Sequence, residues 1–286
     1  MTTVEVTPIG VADLPEVAAF LVHHLEPGVD ALTWDRALRA PWQDDAPNRG
    51  FALRSDGQVV GAYLGFYSSR EVAGTRRQIC NLGPWCVEDA HRAHSLRLLR
   101  TMLKQPGYHF TDLSPSGAVV PLNERLGFHH LDTATSLVPN LPWPSLPVRV
   151  RVTASPERLE AALRGRDLQV YRDHAGLVAA RHVLISHGSE NCHVMYRSDR
   201  RKGLPLFASV LHVSNRALFR RTVRHFGRHV LTHHGLPFTL AEHRVVGGPV
   251  RPSFQLRAHR AKMFRSDRLS AHDVDYLYSE LACLPW

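Results

Sequence analysis

Gly83-Pro-Trp-Cys-Val-Glu-Asp-Ala-His-Arg-Ala-His-Ser-Leu-Arg-Leu-Leu99 is the stretch on which the fold turns. It closes a run that begins at Arg77 and reads as a strand through Val87. Pro84 has no N–H to give a ladder, so the strand must break or bulge at Gly83-Pro84. A break of this kind leaves N–H and C=O groups unpaired around Trp85, Cys86 and Val87. A turn at Arg92–Ser95 then leads into a helix over His91–Leu103, with Leu96, Leu99, Met102 and Leu103 as its apolar stripe. A helix N-terminus directly after a splayed strand offers free N–H groups and a positive dipole end, a natural seat for an anion.

Working outward, Thr3–Pro8 alternates as a strand. Asp13-Leu-Pro-Glu opens a helix whose apolar face is Leu14, Val17, Phe20, Leu21 and Leu25. A polar loop follows through Asp44-Asp45. Gly50–Arg54 and Gln58–Tyr67 form a hairpin around Ser55-Asp56-Gly57. Beyond the central helix come a strand at His109–Leu113, a helix at Ala118–Leu126 closed by Gly127, and a returning strand at Phe128–Leu137. Val138–Pro147 holds four prolines and reads as a stiff connector. The expected division is therefore a domain at 1–137, a linker at 138–147 and a second lobe at 148–286.

The order of elements in 3–137 and three of its motifs resemble the GNAT acyltransferase superfamily. The motifs are the opening strand with Ala12-Asp-Leu-Pro-Glu16, the broken strand and helix of Trp85–Leu99, and Asn123-Glu-Arg-Leu-Gly-Phe128. The resemblance implies a mixed α/β (α+β) fold around a mixed sheet. It also implies transfer of an acyl group from acetyl-CoA or a longer acyl-CoA to an amine, with no metal. It assigns the pantetheine edge to Trp85, Cys86 and Val87, and the pyrophosphate seat to Arg92, Ala93, His94, Ser95, Leu96 and Arg97. Ser95 and Arg97 stand where the family places glycines; a hydroxyl and a charge can compensate, or Arg97 points to solvent. Asn123 stands where the family often has a tyrosine that protonates the departing thiolate, and an amide cannot do so. Cys80 and Asn81 lie near the point where some members place a base or a water-holding group, although a strand cysteine is more often inert core. Asp112 either binds an amine or caps the Ser114–Ser116 turn, and Trp85 either lines the acyl tunnel or is core.

The second half reads as strands at Leu168–Tyr171, Gly176–Leu184, Cys192–Arg197 and Leu206–Val213. A helix capped by Asn215 runs to His234, followed by strands at Phe238–Val246 and Phe254–Phe264 and a final helix at Ala271–Leu284. Strands, helix, strand suggest a second GNAT-like lobe without a phosphate motif, which shapes the cleft or mediates dimers. His225, His229 and His233 share one helix face, but the surrounding arginines favour a basic surface over a metal site.

The 286 residues carry a formal charge of +9, and 44% are hydrophobic, which excludes a disordered chain. Residues 1–150 sum to −2 and residues 151–286 to +11. Only Lys104, Lys202 and Lys262 are lysines, so the charge reflects either composition or a docking face. An acidic acyl carrier protein would suit a basic lobe beside a pantetheine slot. Nucleic acid would have charge but no reading motif, and a catalytically silent scaffold is the non-enzymatic reading. A small-molecule amine is the expected partner, and the sequence leaves the acceptor open among amino acid, aminosugar, polyamine and protein amine. No apolar run is long enough for a membrane span, MTTVEVTPIG lacks a signal-peptide pattern, and the four cysteines lack metal spacing, so a reducing cytoplasm is the expected setting.

Overall fold

The computed structural model describes residues 3–25, 29–72, 74–143, 150–257 and 260–285. In chain order it begins with β1 (Val4–Pro8), α1 (Leu14–His24), α2 (Ala31–Leu38), β2 (Gly50–Ser55), β3 (Gln58–Val72) and β4 (Thr75–Val87). These are followed by α3 (Ser95–Leu103), β5 (Tyr108–Asp112), α4 (Val120–Arg125), β6 (His129–His130) and β7 (Thr135–Pro139). Next come β8 (Val150–Thr153), α5 (Pro156–Ala162), α6 (Gly165–His174), β9 (Arg181–His187), β10 (Glu190–Arg201) and β11 (Leu204–Val213). The chain ends with α7 (Arg216–His234), β12 (Phe238–Glu242), α8 (His243–Val246), β13 (Phe254–Leu256), β14 (Met263–Arg265) and α9 (Glu280–Cys283). Among the described residues, no helix is long and apolar enough to cross a membrane.

Residues up to Leu131, with Lys262–Val274 and Tyr278–Leu284, form one compact unit; Asp132–Ala261 and Asp275–Leu277 form a second. The passage between them falls at Leu131–Asp132, ahead of the proline-rich stretch, of which 144–147 lies outside the described residues. The first sheet has the order β1-β2-β3-β4-β5-β14-β6. β4 and β5 are parallel and its other neighbours antiparallel. The second has the order β8-β9-β10-β11-β12-β7-β13, with β11 and β12 as its parallel pair. Strand order and strand senses are therefore the same in both. Each parallel pair is bridged by a helix, α3 or α7. Each sheet also receives its sixth strand from a distant part of the chain: β14 enters the first sheet between β5 and β6, and β7 enters the second between β12 and β13.

Local chemistry accounts for the main elements. Asp56 and Gly57 both take positive φ, 50° and 83°, the geometry of a two-residue hairpin turn between β2 and β3. Gly50 has φ 113°, and a Cβ there would lie 2.1 Å from the Tyr63 carbonyl oxygen, so only glycine lets β2 meet β3. The core of the first sheet packs Leu53, Tyr63, Cys80, Leu82 and Phe110 against Leu98, Leu99 and Met102 of α3. In the second, Val183, Val194, Tyr196 and Val210 pack against Leu218, Phe219, Phe226 and Val230 of α7. The Asn215 side chain accepts the Leu218 N–H at 2.9 Å to cap that helix, and Gly235 closes it at φ 64°.

Several expected elements take a different form. The polar loop before Asp44 contains α2, because Asp30 caps it through the Thr33 N–H at 2.7 Å and it buries Trp34, Ala37 and Leu38. Leu168–Tyr171 is part of helix α6, which buries Val170, Tyr171 and His174 at helical spacing. The strand expected over Phe128–Leu137 is split between β6 and β7 in different sheets, and Phe254–Phe264 is split likewise between β13 and β14. Phe238–Val246 turns helical at His243. The final helix is reduced to α9 and a single 3₁₀ turn at Ala271–Asp273. Side-chain anchoring supersedes helix propensity there: Tyr276 bonds Glu242, and Tyr278, at φ 60°, packs edge-on to Trp42 with Arg70 over its ring.

Candidate active site in the forked sheet of the first unit

β4 runs parallel to β5 only from Gln78 to Leu82, where β5 ends at Asp112. Beyond that point β4 continues to Val87 on β3 alone, so the two strands fork. The register with β3 slips between Tyr63–Trp85 and Gly65–Leu82, which makes Gly83-Pro84 a bulge opposite Leu64. Gly83 allows this, since a Cβ there would meet Phe66 Cε2 at 2.8 Å. Glu88 donates its N–H to the Val60 carbonyl at 3.0 Å. Hydrogen-bonded pairs alternate in an antiparallel ladder, so Cys86–Ala62 is the next such pair. The N–H and C=O groups of Trp85 and Val87 therefore face away from β3, into the fork. The Trp85 ring stacks on Tyr63, with centroids 5.0 Å apart. Its indole Nε1 is buried without a protein partner. The fork thus offers backbone donors and acceptors, which suits an extended amide-bearing arm.

The end of β4 leads into a 3₁₀ turn, Asp89–His94, and then α3. Ser95 spends its N–H on the Arg92 carbonyl. Arg92 pairs with Asp89 at 2.5 Å, fully at the surface. Arg97 turns back, donating to the Val4 carbonyl at 2.9 Å with His94 Nδ1 3.4 Å away. Ala93 and Leu96 are exposed, and His94 and Ser95 half-buried. Arg97, whose charge could compensate for a missing glycine, is thus engaged by a backbone carbonyl, and Arg92 by Asp89, both at the exposed surface.

At the apex of the fork the predicted residues separate. Cys80 faces the α3 side with its Sγ 3.9 Å from Met102 Sδ, and burial pushes its thiol far up. It is fully buried among the core side chains. Asn81 faces the opposite way. Its Oδ1 accepts from Thr111 Oγ1 at 2.9 Å and its amide donates to the Glu280 carboxylate. Asn123, on α4, is fully buried and donates to Asp112 Oδ2 at 2.8 Å, while its own Oδ1 has no partner. Asp112 is 5% exposed. Burial chiefly, with the nearby Glu280 charge, pushes its carboxyl up to about 7 against the pull of the Asn123 and Ser114 hydrogen bonds. Glu280 also accepts from Ser114 Oγ at 2.6 Å. The fold therefore gathers Asn81, Asp112, Ser114, Asn123 and Glu280 at one point. Glu280 escapes sequence reasoning, because its only signal is a lone carboxylate in the apolar run Tyr276–Leu284.

The second unit has a comparable fork. β11 and β12 pair only at Phe207–Ser209, and β11 carries an extra residue, Leu211, against β10. There the helix start is closed by Asn215, and Glu242, Arg244 and Tyr276 bond one another. On α7, His229 and His233 stack at 4.2 Å and His233 Nδ1 donates to the His229 carbonyl. Among the described residues no group is arranged to hold a metal ion.

Solved structures place this geometry. The chain aligns with a GCN5-related N-acetyltransferase from Anabaena variabilis at a TM-score of 0.58 and 10% identity, over 92% of this chain and 72% of that one. One from Kribbella flavida gives 0.55 and 14%, over 92% and 71%. The chain carries the GNAT fold. The chain also aligns with the N-myristoyltransferase of Saccharomyces cerevisiae, solved with bound myristoyl-CoA, at 0.52 and 8% identity over 98% and 85%. No protein-family model and no curated protein matches the sequence. In terms of the GNAT fold, the fork lies at the broken central strand, and Asn123 sits on the helix that ends in Leu126-Gly-Phe128.

Proposed function

We propose that this protein is an N-acyltransferase that moves an acyl group from acyl-CoA to the amine of a small molecule. The observation that carries the reading is the fork, with the backbone groups of Trp85 and Val87 turned into it. A pantetheine arm can add along that edge as an extra strand. The outward N–H of Val87 is the donor for the oxyanion formed when the amine attacks the thioester carbonyl. The pyrophosphate would lie at the start of α3, and Arg92 and Arg97 would exchange their present partners for it. The second unit then serves as a tandem GNAT-like lobe without a donor site of its own, because Asn215 already occupies its helix start.

Acyl-CoA is preferred to an acidic carrier protein as donor. The basic face of α7 is largely committed: Arg216 donates to Val245, Arg220 to Gly247 and Arg221 to Glu190, and Arg224 stacks on Trp143. Calorimetric titration with free CoA, acetyl-CoA and a long-chain acyl-CoA tests the reading. Binding of at least one is expected, weakened by Arg97→Ala and by Gly83→Val. No heat and no thermal shift with any of the three at millimolar concentration would refute it.

A further inference from the structure

We propose that Asp112 is the acid that protonates the departing CoA thiolate, that Asn123 positions it, and that the Glu280 carboxylate takes the proton from the attacking amine. The inference rests on the acyl-CoA reading above and supplies the proton chemistry that Asn123 alone cannot. Asp112 is the last residue of β5, at the point where β4 and β5 part. Its carboxyl is buried and held by the Asn123 amide on one oxygen. Glu280 is held on both oxygens, by the Asn81 amide and the Ser114 hydroxyl, and both donors suit a carboxylate. Burial first, and then the Glu280 charge, make a second charge on Asp112 costly. Asp112 therefore keeps its proton, and its carboxyl titrates near 7.

The step balances. The amine nitrogen forms a C–N bond to the thioester carbon, and one N–H proton passes to Glu280. The tetrahedral intermediate collapses, the C–S bond breaks, and its electron pair goes to sulfur. Sulfur takes the Asp112 proton and leaves as the thiol. The pair then holds the same single proton, now on Glu280, and its return to Asp112 resets the site. The other titratable groups bearing on this point are Tyr63 and Cys283, and burial holds both in their protonated forms.

The test needs no knowledge of the acceptor. Free CoA is bound to the intact chain, and its thiol is titrated by the ultraviolet absorbance of the thiolate. In parallel, the protonated-carboxyl infrared band is followed from pH 5 to 9. In the parent protein that band should persist to about pH 7 and be missing from Asp112→Asn. Above pH 7 the ionised Asp112 opposes a thiolate, so the bound thiol of Asp112→Asn should ionise about one pH unit lower than the parent's. Asn123→Ala removes a donor to the ionised carboxyl and should carry the band to higher pH, a change a merely structural asparagine would not produce. Thiol titrations that coincide in parent and Asp112→Asn while CoA still binds would overturn the acid assignment alone. A shift on Tyr63→Phe in place of Asp112→Asn would do the same. Failure of CoA to bind the parent would instead remove the acyl-CoA reading itself, and this role with it.

Discussion

Asp112 carries a cost that its surroundings make measurable. In an unfolded chain an aspartate titrates near its model value of 3.8, whereas burial holds this one protonated to about 7. Between those values the native state binds the extra proton, so its stability falls as pH rises from about 4 to about 7. Replacing the carboxyl by an amide of the same shape removes that penalty and keeps an acceptor for Asn123. Asp112→Asn is therefore expected to unfold at higher denaturant, by on the order of 2 kcal/mol at pH 8, with no gain at pH 3.5. Equal stabilities at pH 8 would mean that the carboxyl is not held protonated.

At the scale of elements, the end of α6 and the strands of the second sheet carry a row of buried and half-buried imidazoles. His174 Nδ1 donates to the Val170 carbonyl at 2.8 Å, and His182 Nε2 donates to the His174 carbonyl at 3.2 Å. Carbonyls only accept, so His182 Nδ1 bears a lone pair and takes the proton of His193 Nε2 at 2.9 Å. This leaves His193 Nδ1 bare and buried without a partner. Burial depresses His174 and His182 to about 4 and His193 to about 2, and lowers the neighbouring His212 as well. Depressed histidines give full stability above the unfolded value of 6.5, and that stability is lost as pH falls below it, because only the unfolded chain gains the protons. Chemical denaturation between pH 7.5 and 5 should show a loss of about 1 kcal/mol per histidine per pH unit below 6.5, reduced in His193→Gln. A flat profile would contradict the neutral row. The elements bearing this row differ in how well they can be read. β10 is read as a strand over Cys192–Arg197 and β11 as a largely apolar one over Leu206–Val213. α6 is not legible in this way, because Leu168-Gln-Val-Tyr171 alternates like a strand, and only the cover it gives to the sheet makes it helical.

At the scale of the molecule, the first sheet is incomplete without residues far down the chain. β14 fills the place between β5 and β6, and Met263 belongs to the same core as Cys80 and Phe110. Expressed alone, segment 1–137 would expose two unpaired strand edges and lose both Met263 and Glu280. It is expected to be unfolded or aggregated by circular dichroism and size exclusion, whereas the full chain is a folded protein. A cooperatively folding 1–137 fragment would contradict the exchanged-strand topology.

The sequence alone determined the elements whose cause is local: the bulge at Gly83-Pro84, the hairpin turn at Asp56-Gly57, the Asn215 cap and the Gly127 helix end. With them came the GNAT resemblance and the edge at Trp85–Val87, because a proline's missing N–H acts wherever the strand lies. Tertiary structure alone decided which strand completes which sheet, that Cys80 is core, and that Asp112, Asn123 and Glu280 meet. Glu280 lies 168 residues beyond Asp112 in the chain, and local periodicity carries no information across such a distance. Burial and pairing energies, which exist only once the chain has folded, set that meeting and the protonation that follows from it.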